Sequence, residues 1–148
     1  MSDLWVRGLE HIHGHIGWLA AVALAHPAIL LRRRRRRALL AAASATGLVT
    51  VAAALGATIY PAFRVDIKPR LFAHEPAMAW AFERKEHLAV AALAMAWVGL
   101  GAHLAEYRSP AGVPGRLDRV AFFAYVAATG AALVTATLGV AVATHRTF

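Results

Sequence analysis

The sequence predicts an all-α membrane protein whose single domain, residues 1–148, is a bundle of four transmembrane helices. Of the 148 residues, 59% are hydrophobic, a larger share than in ordinary soluble domains. These residues fall into four blocks, and each block has about the 20 apolar residues that cross a hydrocarbon core roughly 30 Å thick. The predicted spans are 12–31, 38–60, 87–106 and 120–144. The lipid bilayer is therefore the expected partner of this surface.

Arginine-rich turns predict how the spans are oriented. The formal net charge is +8, and six of the sixteen basic residues form the run Arg32 to Arg37 between the first two spans. The turn between the last two spans, 108–119, carries three more arginines. Basic turns stay on the cytoplasmic side, so both termini are expected on the outer face, the periplasmic side of a bacterial inner membrane. The charge is thereby attributed to membrane orientation, and nucleic acid is not expected as a partner.

The connection between the second and third spans, residues 61–86, is expected to be an outer loop that contains one short amphipathic helix. Pro76, which follows Glu75, suits the first position of a helix that runs to Lys85. The chain contains no cysteine, which excludes disulfides and thiolate metal ligands.

The two halves of the chain carry similar motifs. In each half, a Glu-His pair opens one span and a histidine closes it, and the next span holds Ala-Thr-Gly with a second glycine nine positions later. These motifs are Glu10-His11, His26, Ala45-Thr46-Gly47 and Gly56 in the first half, and Glu86-His87, His103, Ala128-Thr129-Gly130 and Gly139 in the second. The duplication predicts a two-plus-two bundle related by a pseudo-twofold axis along the membrane normal.

Histidines are placed at two depths in the predicted spans. Those near the outer face are His11, His13, His15 and His87, and those near the inner face are His26 and His103. At a rise of about 1.5 Å per residue, the two depths are roughly 22–24 Å apart. Histidine is costly inside a bilayer unless it is bound, so two layers of ligands are predicted. In membrane cytochromes, imidazoles from two helices hold haem b. In this chain the predicted inner pair is His26 with His103, and the predicted outer pair is His87 with His11, His13 or His15.

The four spans and the depths of these histidines resemble the di-haem four-helix membrane cytochromes b, which include cytochrome b561-like electron carriers and superoxide oxidases. The resemblance is one of architecture, without a sequence fingerprint. It implies one or two haems b and electron transfer between a quinone or another redox carrier and a partner at the outer face. An oxidoreductase activity linked to quinone or superoxide would follow from it.

Helix geometry argues against the simplest form of this hypothesis, and other functions stay open. His87 and His103 differ by about 160° around an ideal helix, so they point to opposite sides. A single haem would avoid this conflict. An alternative is a membrane protein that binds Cu or Zn through the outer cluster His11, His13 and His15, because an i, i+4 histidine pair can chelate such ions. Further outer residues could complete such a site: His74, His87, His145, Glu10, Glu75 and Glu86. Another is a small structural subunit of a respiratory complex, whose histidines contact other subunits.

Overall fold

The computed structural model of the protein describes residues 3–33, 38–108 and 115–144. All of its elements are helical: α1 (Asp3–Arg32), α2 (Ala38–Ala62), a π-helical turn (Phe63–Ile67), α3 (Lys68–His74), α4 (Pro76–Arg108) and α5 (Arg116–Thr144). Four of the helices are long and apolar enough to cross a membrane. The all-α fold, with four helices that are long and apolar enough to cross a membrane, is therefore confirmed. Most of the arginine run, Arg34 to Arg37, lies outside the described residues, as do residues 109–114 of the second basic turn.

The four long helices form a ring in which α1 and α4 lie diagonally opposite each other. Helix α1 packs between α2 and α5, and α4 packs against the same two helices. Short connections make α1–α2 and α4–α5 antiparallel hairpins. Exchanging α1 with α4 and α2 with α5 leaves this order unchanged, which is compatible with the predicted twofold repeat without establishing it. Side chains of the first and third spans can therefore meet only across the centre of the bundle.

Small residues allow the helices to approach closely, and one polar cluster ties three of them together. The core consists mainly of buried alanines, among them Ala21, Ala42 and Ala96. The hydroxyls of Thr46 and Tyr125 are 2.9 Å apart, Thr46 donates to the Ala96 carbonyl at 3.3 Å, and Tyr125 lies 3.2 Å from the Ala42 carbonyl oxygen. Helices α2, α4 and α5 are thus joined by hydrogen bonds inside an apolar core.

The expected outer loop is helical along nearly its whole length. Helix α2 runs past Pro61 into the π turn and then α3, while α4 begins at Pro76, as expected, and continues through Lys85 into the third span without a break. Pro61 and Pro69 flank the π turn. Neither has the N–H that regular α-helical pairing requires.

The segment that connects α2 to α4 folds into a small cap with its own core. The buried residues of the cap are Phe63, Leu71, Ala79, Phe82 and, from α5, Val142. The rings of Phe63 and Phe82 stack with centroids 4.0 Å apart, and Lys68 pairs with Glu83 beside them. The end of α5 packs against the cap. The start of α1 and the end of α5 therefore both lie at the cap end of the bundle.

Candidate functional site

A cavity of about 920 Å³ lies in the cap-side half of the bundle and is lined by residues from all four long helices. Its volume falls in the range of small-molecule and cofactor sites. Most of its wall is alanine, glycine and other apolar side chains, which leave open space between the helices. Polar groups line it as well: Glu10, His11, His13, His15, Tyr60, Lys85, Glu86 and Thr135.

Helix α1 supplies the three histidines of this cavity. His13 is half-buried, and its Nδ1 donates to the carbonyl oxygen of Ala52 on α2 at 3.0 Å. Because a carbonyl can only accept, the proton sits on Nδ1 and the lone pair on Nε2. His11 and His15 are exposed, and Nδ1 of His15 donates to the carbonyl of His11 at 2.8 Å. The cavity therefore has a fixed imidazole on its wall and two more beside it.

The second glycines of the repeated motif both face this cavity. A Cβ built on Gly56 would lie 3.0 Å from Cε1 of His13, so the glycine leaves room for the imidazole. A Cβ built on Gly139 would lie 3.9 Å from Cδ and Nζ of Lys85, which also lines the cavity. Equivalent positions in α2 and α5 thus face a histidine in one half and a lysine in the other.

Helices α4 and α5 contribute charged and hydroxyl groups to the cavity wall. Lys85 lies over the ring of Phe82, with Nζ 4.7 Å from the centroid, and Glu86 follows it on the wall. Thr135 on α5 has a buried hydroxyl oxygen without a hydrogen-bond partner among the described residues. Polar groups are therefore directed into an otherwise apolar space.

His87, the predicted outer ligand from the third span, is not on the cavity wall. It is exposed, and its Nδ1 donates to the carbonyl of Glu83 one turn earlier at 2.8 Å. The adjacent residue Glu86 lines the cavity, so its wall ends between Glu86 and His87 on this part of α4. The structure thus brings His11, His13 and His15 to one site and leaves His87 outside it.

At the other end of the bundle, His103 is 8% exposed and bound to a carboxylate. Its Nδ1 lies 2.7 Å from Oδ1 of Asp118, in the first turn of α5. Its Nε2 is buried and has no hydrogen-bond partner within the part of the chain that the structure describes. The imidazole therefore has one satisfied and one unsatisfied nitrogen.

His26, the predicted partner of His103, has a different environment. It is exposed and lines a groove of about 580 Å³ between α1 and α2, beside Ala41 and Ser44. Because His103 contacts α5 and α4 lies diagonally opposite α1, the two side chains are not brought together in this arrangement.

Two carboxylates at the end of the α4–α5 hairpin that lies away from the cap were not identified from the sequence. Glu106 accepts hydrogen bonds from the backbone N–H groups of Gly115, at 2.7 Å, and Leu117, at 3.0 Å, and so caps α5. Asp118 accepts from His103. The sequence did contain a signal for the second contact: Asp118 lies at the start of one apolar helix, and His103 lies near the end of the helix before it.

Among the described residues, no group of three or more His, Cys, Asp or Glu side chains is placed to hold a metal ion. His145 lies outside those residues. No family model matches the chain, and neither a curated protein nor a solved structure matches it. Haem, Cu and Zn all remain predictions from the sequence.

Proposed function

We propose that the protein is a membrane cytochrome of b type that binds haem in the cap-side cavity. It transfers electrons between a quinone or another redox carrier and a partner at the outer face. The observation that supports this most directly is the cavity itself, which combines apolar helical walls with the imidazole of His13, whose Nδ1 is bound to the Ala52 carbonyl.

The histidines fit the requirements of a haem ligand. Ligating imidazoles usually donate their other N–H to a carbonyl or carboxylate, which fixes the ring and its tautomer. His13, His15, His87 and His103 all have Nδ1 within 3.0 Å of an oxygen that can accept, and so present the lone pair on Nε2. His13 would hold the iron of a haem in the cavity. A second haem on His103 stays a prediction from the sequence, because Nε2 of His103 is covered by protein atoms.

The walls fit the rest of the group. A porphyrin is a flat apolar ring with two carboxylates, and the alanines and glycines of the cavity leave space between larger apolar side chains such as Trp18 and Phe82. Lys85 supplies a positive charge beside this surface, with Glu10 and Glu86 as the nearby acidic groups. When bound, haem would supply one-electron chemistry at its iron, while the apolar walls exclude water from it.

A Cu or Zn site in the same cavity is the alternative that the arrangement of its histidines supports less well. Zinc takes three or four protein ligands, whereas haem iron needs only one or two axial side chains, which matches the single half-buried histidine of the cavity. A structural role in a respiratory complex has no particular feature of the described residues in its favour.

An absorption spectrum of the protein purified from a haem-sufficient host tests the proposal. We expect a Soret band, and α and β bands after reduction. His13→Ala should lose the haem of the cavity, whereas His74→Ala, a matched change of an exposed histidine in the cap, should keep it. A colourless protein that carries Cu or Zn would rule out the haem assignment, and co-purification with respiratory subunits in mild detergent would favour the structural role.

A further inference from the structure

The cap-side cavity has a half-buried histidine, His13, whose ring is fixed on the wall. Its Nδ1 donates to the carbonyl of Ala52, which leaves the lone pair of Nε2 for a metal. We infer that a haem in this cavity is bound through His13 alone, and that the other axial position of its iron is open to a small uncharged diatomic molecule. This inference rests on the proposed function, and it departs from the two-histidine ligation that the sequence predicts.

The other two histidines of the cavity wall are on the wrong side of α1 to bind the same iron. Helix α1 is continuous, and at about 100° per residue His11 and His15 each lie about 160° around it from His13. Because metal–nitrogen bonds are about 2 Å long, two axial nitrogens would lie only about 4 Å apart. Side chains on opposite sides of a helix that is roughly 10 Å wide do not reach this arrangement.

The rest of the bundle supplies no second histidine within the part of the chain that the structure describes. The remaining histidines there, none of which lines the cavity, are His26, His74, His87 and His103. His87 is exposed and bound to a carbonyl of its own helix. His103 lies at the other end of the bundle, and its Nε2 is covered by protein atoms. Among the described residues, His13 therefore has no histidine partner for the same iron.

Other side chains that bind haem iron are also in short supply on this wall. Besides histidine, the axial ligands of haem are cysteine, methionine and tyrosine. The chain has no cysteine, and no methionine lines the cavity where it is described. Tyr60 is on the wall, but its hydroxyl interacts with the carboxylate of Glu86. The free position thus faces a mainly apolar space, which favours an uncharged ligand because burying a charge is costly.

Carbon monoxide tests the free position, because it binds ferrous haem iron where no side chain occupies the axial site. The full-length, haem-loaded protein is reduced and titrated with carbon monoxide while the Soret band is recorded, and the ferric form is examined by EPR. We expect a high-spin ferric signal and one carbon monoxide bound per cavity haem. His13→Gly should lose this haem, and added imidazole should restore it.

Five further variants test whether another side chain is the second ligand. They are His11→Ala, His15→Ala, His87→Ala, Tyr60→Phe and His145→Ala. His145 is included because it lies outside the described residues and directly follows Thr144, the last residue of α5. In each variant, the ferric signal and the carbon monoxide bound per haem should equal those of the wild type.

The possible failures can be told apart. A wild-type protein without haem would overturn the proposed function and this inference together. A low-spin wild type that binds no carbon monoxide would overturn the inference alone, and the variant that becomes high-spin would identify the second ligand. A full complement of haem in His13→Gly without imidazole would also overturn the inference, because His13 would then not be the ligand.

Discussion

Gly56 of α2 leaves the space that the imidazole of His13 on α1 occupies. A Cβ at this glycine would lie 3.0 Å from Cε1 of His13 and 3.5 Å from Nε2, while Nδ1 of the same ring donates to Ala52 one turn earlier on α2. The ring is therefore held between a carbonyl and a glycine, both supplied by one helix. This contact gives a specific role to a glycine that the sequence identified only as part of a repeat.

Replacing Gly56 by alanine is expected to weaken haem binding. The new methyl group must displace the His13 ring by a few tenths of an ångström and so disturb its bond to Ala52. Disturbing the support of a ligating histidine typically weakens binding about 10- to 100-fold. Transfer of haem to apomyoglobin, followed at the Soret band, measures this change.

Gly47→Ala is the control for that substitution. It lies on the same helix and has the same gain in helix propensity, but no described atom lies within 4 Å of a Cβ built there, apart from the helix itself and the adjacent residues. We expect haem loss from Gly47→Ala at the wild-type rate. Equal rates in both variants would show that the His13–Gly56 contact does not support a ligand.

His13→Ala and His87→Ala should differ in their haem content. His13 lines the cavity and is half-buried, whereas His87 is exposed and bound to a carbonyl of its own helix. We expect His13→Ala to lose the outer haem and His87→Ala to retain it, measured as haem per protein. The reverse result would mean that α4 rotates and directs His87 into the cavity when haem is bound. The outer pair predicted from the sequence, His87 with a histidine of α1, requires that rotation.

The spans could be predicted from the sequence because they depend on length and composition. Each of the four predicted spans lies within one helix: α1, α2, α4 or α5. Helix periodicity was informative too. The angle of about 160° between His87 and His103 agrees with a continuous α4 in which one histidine is exposed and the other buried.

The cap and the histidine partners could not be predicted, because they depend on contacts between distant residues. Residues 61–86 were expected to form a loop with one short helix, but stacking of Phe63 on Phe82 and the pair Lys68–Glu83 fold this segment against the start of α4. Depth along a helix placed His103 correctly near one end. It did not show which neighbouring helix the side chain would meet, and so it did not reveal Asp118.

Gly99→Ala is expected to destabilise the bundle. A Cβ there would lie 2.8 Å from Cε2 of Tyr125, and a shift of that ring would strain the hydroxyl bonds to Thr46 and Ala42. Overpacking of a core typically costs about 1–3 kcal/mol. Unfolding in an SDS titration measures the loss of stability.

Two further variants isolate the contact between Gly99 and Tyr125. Gly101→Ala, where no described atom outside its own helix lies within 4 Å of the added Cβ, should be at least as stable as the wild type, because alanine is the better helix former. In a Tyr125→Leu background, Gly99→Ala should be much less harmful, since the two positions are in direct contact and their effects should not add. If the losses of stability in Gly99→Ala and Tyr125→Leu add, the Tyr125 ring is not what prevents a larger residue at position 99.

The cap is expected to face the outside of the cell, and the absence of native cysteines makes this directly measurable. His74 is exposed in the cap, and Arg108 is exposed at the opposite end of the bundle beside the second basic turn. Because nine arginines in the two turns, Arg32 to Arg37 with Arg108, Arg116 and Arg119, are expected to stay cytoplasmic, a membrane-impermeant maleimide should label His74→Cys in bacterial spheroplasts. Arg108→Cys should be labelled only after the cells are permeabilised. Labelling in the opposite order would invert the topology and place the proposed haem cavity near the cytoplasm.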